Sequence, residues 1–207
     1  MMSPKLTGGA TLAEHRAATR EAMIDAFAAL LREVGWQDLK LQEVAKQVGV
    51  ARTAVYNYFP DRTALLLAWS GREMSRFMAL AERELADRTD PVDRLQILVK
   101  LVLTEFALES GTGASVAAML PPEDRARFLE HVAPLAALVG GLLEDGMREG
   151  VFVRADTAAT GQMVMACLET QRTALLAGDK VHTAVQRTLP FVMRALGVPG
   201  DRWADSP

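Results

Sequence analysis

Between Lys40 and Leu66 the chain reads KLQEVAKQVGVARTAVYNYFPDRTALL. Leu41, Val44, Ala45 and Val48 recur at three- and four-residue steps, the spacing of one buried stripe on a short helix. Gly49 breaks that period, and Val50, Ala54, Val55, Tyr58 and Phe59 begin a second one. The pattern predicts two helices joined by a turn of about three or four residues, a helix-turn-helix corner. Ala45 is small where the two helices must cross. Gly49 can take the positive φ that ends a helix without Cβ strain. Val55 returns the second helix to the core.

The remaining pattern is helical throughout. Residues 1–11 contain Gly, Ser and Pro and are expected to be disordered. A first helix is predicted from Leu12 to Val34, with Ile24, Phe27, Leu31 and Val34 on its buried stripe, Thr11 and Glu14 as a capping box, and Gly35 as its end. Trp36 is expected to fold back on this small three-helix core. After Pro60 a long helix runs from Asp61 to about Asp87, and Asp90 and Pro91 open another, apolar round much of its circumference and therefore central. Gly111 to Gly113 break the chain before a short turn over 114–120. Another helix is predicted from Pro122 to Glu149, in which Gly140 and Gly141 suggest close approach of a neighbour or space for a ligand, with a kink as the simpler account. Two last helices cover Asp156 to Ala177 and Lys180 to Leu196. The fold class is all-α with about nine helices: a domain over residues 1–60 and a larger one over 61–207.

Composition changes this picture little. Of the 207 residues half are hydrophobic and 6% aromatic, enough to bury a sizeable core. No run of 18 apolar residues is long enough to span a bilayer, and MMSPKLTGGATLAEH lacks the basic-then-apolar order of a secretory signal, so a cytoplasmic chain with no membrane partner is expected. The lone cysteine, Cys167, agrees with a reducing compartment. The net charge of −3 argues at first against nucleic acid. Its distribution does not: residues 1–62 carry eight Lys or Arg against seven Asp or Glu. Lys40, Lys46, Arg52 and Arg62 all lie on the helix-turn-helix, where the only acids are Glu43 and Asp61.

The candidate chemistry also sits there. With Val55 turned inward, Arg52, Thr53, Tyr56 and Asn57 point outward from the start of the second helix. Arg can bond both acceptors of a guanine edge, Asn can pair with adenine, and hydroxyls reach phosphates. An ordinary helical hairpin with a solvated polar face has the same spacing. The run GVARTAVYNYFPDRTALL, Gly49 to Leu66, separates the two readings, because it resembles the TetR family of bacterial transcriptional regulators. Val55, Tyr56, Tyr58, Phe59, Arg62, Leu65 and Leu66 fall on that family's motif, and the likeness extends loosely back to Ala13. Two positions depart from it. Lys40 stands where a capping Thr usually opens the first helix of the corner, and Ala51 where a Ser opens the second. Asp38 and Thr53 are the candidate substitutes.

The resemblance implies a homodimer joined through its last two long helices, a double-stranded DNA operator as partner, and a carboxy-terminal cavity for a small, mostly apolar effector. The DNA-facing candidates are Lys40, Lys46, Arg52, Thr53, Tyr56, Asn57, Tyr58 and Arg62. Arg16 and Arg20 can reach phosphate or pair with Glu14 and Glu21. Candidates for the cavity are Trp69, Met74, Met78, Leu101, Thr104, Glu105, Met163 and Cys167. For the dimer they are Met165, Val185, Leu189, Phe191, Val192 and Leu196. His15, His131 and His182 are isolated, no metal-ligand spacing or phosphate loop occurs, and neither a cofactor nor catalysis is expected. The rival reading is a helical small-molecule carrier or adaptor that does not hold DNA, motivated by Lys40 and Ala51.

Overall fold

The computed structural model describes residues 11–108, 116 and 119–203. Among them there is no strand, and the ordered elements are nine α-helices and one 3-10 turn over Gly200–Arg202. They are α1 (Leu12–Asp38), α2 (Leu41–Val48), α3 (Arg52–Val55), α4 (Arg62–Leu85), α5 (Pro91–Leu108), α6 (Pro122–Glu130), α7 (Ala133–Arg148), α8 (Thr157–Leu176) and α9 (Val181–Ala195). The expectations for residues 1–10 and for most of 111–120 lie outside the described residues.

The chain divides into two compact units, Met1–Ser70 and Gly71–Pro207. The sequence pattern put this division after residue 60. The first unit instead holds the opening turns of α4: Leu65, Leu66 and Leu67 are buried, and the Trp69 ring lies 6.3 Å from that of Phe27.

In the first unit, α1 opens with the capping box, the Thr11 hydroxyl accepting from the Glu14 amide at 3.2 Å while the Glu14 carboxylate accepts from the Thr11 amide. Its buried side chains are Met23, Ile24, Ala26, Phe27 and Leu31. The chain turns sharply at Gly35 (φ 75°), and this corrects one stripe position. Val34, at the last turn before the break, is 42% exposed, and Trp36 beyond it fills the core at 7%. Packing of α2 uses Leu41, Val44 and Ala45. Gly49 (φ 76°) ends α2 in the left-handed conformation, with the Val50 amide donating to the Ala45 carbonyl at 3.0 Å, the bond pattern that satisfies terminal carbonyls.

In the second unit α5 is the core helix. Val92, Leu95, Leu98, Val99, Val102, Leu103 and Phe106 are all buried, and the helix packs against α7, α8 and α9. The helix expected from Pro122 to Glu149 is two helices bent by 50°. Pro134 accounts for the break: it has no N–H for the Glu130 carbonyl and its ring would meet that carbonyl in a continuous helix. Gly140 and Gly141 face open space, so no close approach explains them. The tight glycine is Gly146, where an added Cβ would lie 2.1 Å from the Phe152 ring. Among the described residues no single helix is long and apolar enough to cross a membrane; the bent α6–α7 pair passes by length and composition only, with Leu135, Val139, Leu142, Leu143 and Met147 buried in the core.

Candidate nucleic-acid interface and effector groove

The corner between α2 and α3 is built from the inside out. Val55 is fully buried and Phe59 is 3% exposed, each worth roughly 1.5–3 kcal/mol relative to leaving it in water. Regular helix stops at Val55, earlier than the apolar spacing suggests. The chain continues as a tight turn in which the Asn57 and Tyr58 amides bond the carbonyls of Ala54 and Val55, three residues back, at 3.1 and 3.0 Å. Two arginines of α1 brace this turn. Arg16 lies 5.3 Å from the Tyr58 ring centroid and donates to the Asn57 carbonyl at 3.4 Å, and Arg20 lies 5.3 Å from the Phe59 ring and 3.3 Å from Glu21.

That packing fixes what remains outside. Arg52, Thr53, Tyr56 and Asn57 are exposed together, as their spacing required, and so are Lys40 and Lys46. Among the described residues neither Lys40 nor Arg52 pairs with an acid, and Lys46 lies 3.9 Å from Glu43 while 83% exposed. A shallow depression of about 380 Å³ lies beside them, lined by Lys40, Gln42, Tyr56, Pro60 and Arg62. The substitute caps are not made: no side chain caps α2 or α3, and neither Asp38 nor Thr53 bonds those helix starts.

Two candidates change role. Tyr58 is half-buried beneath Arg16 and supports the turn. Arg62 turns inward, its guanidinium 4.3 Å from the Trp36 ring centroid and donating to the Trp36 carbonyl at 2.8 Å and the Gln37 carbonyl at 3.4 Å. Arg62 thereby ties the start of α4 to the chain just past the Gly35 break. The sequence could not reveal this, because the acceptors are backbone carbonyls 26 and 25 residues away.

In the second unit a groove of about 960 Å³ runs along α4, with Met74, Met78 and Leu85 from that helix facing Pro134 and Leu138 of α7. Only Met74 and Met78 of the eight cavity candidates line it. Trp69 belongs to the first unit, Thr104 is exposed and bonds the Lys100 carbonyl at 2.7 Å, and Met163 is 68% exposed. Leu101 and Cys167 pack against the core, and Glu105 is half-buried and engaged by a neighbour. The residues that sequence reasoning missed are Arg88 and Arg94 at one end of the groove.

The dimer candidates divide likewise. Leu189, Val192 and Leu196 are 6, 1 and 2% exposed and belong to the core of their own chain, and Met165 and Val185 pack against that core. Phe191, 60% exposed, remains outside, as does Met163 on α8. Among the described residues no group of three His, Cys, Asp or Glu side chains could hold a metal ion.

A three-helix unit with a compact α2–α3 corner and an exposed polar set on α3 and the turn that follows it is a helix-turn-helix unit. Residues 23–69 match the family described as bacterial regulatory proteins, tetR family. The HTH-type transcriptional repressor KstR of Mycobacterium tuberculosis is 32% identical over 80 residues, 39% of this chain and 36% of that protein. The match thus spans about a third of that relative's length. The fatty acid metabolism regulator protein of Bacillus subtilis is 21% identical over 170 residues, 79% of this chain and 86% of that protein. The solved structure of the fatty acid degradation regulator FadR from Bacillus halodurans superposes with a TM-score of 0.76 at 22% identity, covering 84% of this chain and 94% of that one. FadR from Bacillus subtilis, solved in complex with stearoyl-CoA, gives 0.73 at 19% identity over 84% of this chain and 98% of that one. Both share the fold, an all-α architecture with an amino-terminal helix-turn-helix.

Proposed function

We propose that the protein is a ligand-responsive transcriptional regulator, a repressor that leaves its operator when a small, mostly apolar effector binds. The observation that carries this is the corner itself: Val55 and Phe59 are buried while Arg52, Thr53, Tyr56 and Asn57 stand exposed on the opposite face. Arg52 and Asn57 read base edges; Lys40, Lys46 and Tyr56 hold the backbone. The relatives are named repressors and regulators, and catalysis has no part in this reading. The carrier reading is not favoured.

The protein works as a cytoplasmic homodimer. Phe191 and Met163, both exposed on the last two long helices, are the apolar residues of its contact, and a twofold pair sets two α3 turns into successive major grooves of an inverted repeat, about one helical turn apart. Effector and operator then weaken each other's binding by the same factor. Among fold neighbours, one structure holds stearoyl-CoA, another resorcinol and a third choline, which supports a ligand site in this fold without naming this chain's ligand. The test is a gel shift of the full chain on the DNA upstream of its own coding sequence. Retention at concentrations that leave random duplex unshifted is expected; equal retention of both would overturn the reading.

A further inference from the structure

The groove along α4 has a chemical polarity that the effector reading, on which this inference rests, does not specify. From Met74 to Leu85 its lining follows one face of α4, about 16 Å of axis at 1.5 Å per residue. Met74, Met78 and Leu85, with Pro134 and Leu138 opposite, make that length apolar. Its volume of about 960 Å³ falls at the upper end of the roughly 300–1,000 Å³ usual for small-molecule sites. An elongated apolar trough suits a chain better than a compact ring, and methionines adapt to its shape.

The charged end is set by α5. Arg94, in the first turn, lines the groove with its side chain one-quarter exposed, and its Nη1 lies 3.3 Å from the Asp145 carboxylate. That carboxylate is shared with Arg148, so one anion serves two guanidinium groups. The Arg94 Nε is buried with no acceptor. Asp145 leaves that guanidinium only partly matched beside an apolar trough, and such a group is a place for an anion. Arg88 lines the same end, 3.3 Å from Asp93, and the opposing acid is Glu82, exposed on α4.

We propose that this groove binds a linear apolar chain ending in an anion, the chain against Met74, Met78 and Leu138 and the anion on Arg94. A free carboxylate and a phosphate-bearing acyl thioester share this chemistry. Calorimetric titration of the full chain with dodecanoate, dodecanoyl-CoA, 1-dodecanol and dodecyltrimethylammonium separates the cases, all below their micellar concentrations. At least one of the two anions should bind ten times more tightly than the alcohol or the ammonium, and which one does so identifies the headgroup. Arg94→Gln should bring that anion to the affinity of the alcohol and leave the alcohol unchanged, while Arg94→Lys keeps part of the preference. If freeing Asp145 lowers the stability of Arg94→Gln, the double variant Arg94→Gln/Asp145→Asn carries the same expectation. Binding of the ammonium as tight as that of the anions, an anion affinity that Arg94→Gln leaves unaltered, or no binding of any probe would overturn the proposal. The gel shift of the unliganded protein is independent of this result: a shift without anion binding removes the groove assignment alone, and anion binding without a shift removes the regulator reading.

Discussion

Arg62→Ala should destabilise the amino-terminal unit without removing a DNA contact. The guanidinium donates to the Trp36 carbonyl at 2.8 Å and stacks 4.3 Å from that residue's ring. A hydrogen bond from a charged donor contributes about 1.5–3 kcal/mol, and a half-exposed cation over an indole about 0.5–1 kcal/mol. The two share one side chain and do not add in full, so a loss of about 2–3 kcal/mol is expected. Against the roughly 4–10 kcal/mol that a unit of this size commands, that is a substantial fraction. Urea unfolding followed by tryptophan fluorescence in a Trp203→Phe background reads it, since Trp36 and Trp69 both lie in the first unit. Arg62→Lys should recover little, because an ammonium cannot both stack flat and reach the carbonyl in the fork geometry. On DNA, Arg62→Ala should weaken every sequence alike with an unchanged salt dependence, whereas a lost phosphate contact lowers the slope by about 0.9. An unaltered urea midpoint together with a reduced salt slope would refute the inward role.

Arg52→Ala should cost about 1–3 kcal/mol on the operator and loosen preference at one base pair, measured by competition among single-position operator variants; equal losses on operator and random DNA would remove its base-reading role. Gly146→Ala should destabilise the second unit by about 1–3 kcal/mol through overpacking against Phe152, while Gly140→Ala, with nothing within 4 Å of its Cβ, should gain up to about 1 kcal/mol of helix propensity; thermal melts of the pair would contradict this if the order reversed. The Thr11 amide, and then its hydroxyl, hold the Glu14 carboxyl below the ordinary carboxylate value, against a small opposing effect of desolvation. A carboxylate depressed in the folded state stabilises above its unfolded value and loses that contribution as pH falls through the folded one. The first turn of α1 should therefore fray in that acidic window, read from the NMR shift of the Thr11 amide, and Glu14→Gln should abolish the dependence.

What could be read in the sequence was what short-range chemistry decides. The Thr11–Glu14 capping box spans four consecutive residues, Gly35 and Gly49 stop their helices through their own backbone freedom, and the alternation of Val55 and Phe59 with Arg52, Tyr56 and Asn57 fixes which side of the turn is wet. Pro134 carried a local signal too, since a proline inside an assumed helix ends it, and reading it would have divided α6 from α7. Arg62 offered no such signal. Its basic character suited a phosphate as well as a carbonyl, and only the three-dimensional approach of Trp36 decides between them.

The second unit shows the corresponding limit for apolar stripes. Leu189, Val192 and Leu196 form a periodic face on α9, and periodicity states that a face is covered without stating by what. The same spacing arises whether the cover is α5 and α8 of one chain or a second subunit. Here the chain covers it, because α5 is apolar round most of its circumference and must itself be surrounded. Phe191, outside the stripe, keeps 60% of its surface in water and is the residue that the proposed dimer contact would cover. For the same reason Arg94 was invisible, an ordinary cation in a first helical turn until Asp145, 51 residues away, was seen to satisfy only part of it.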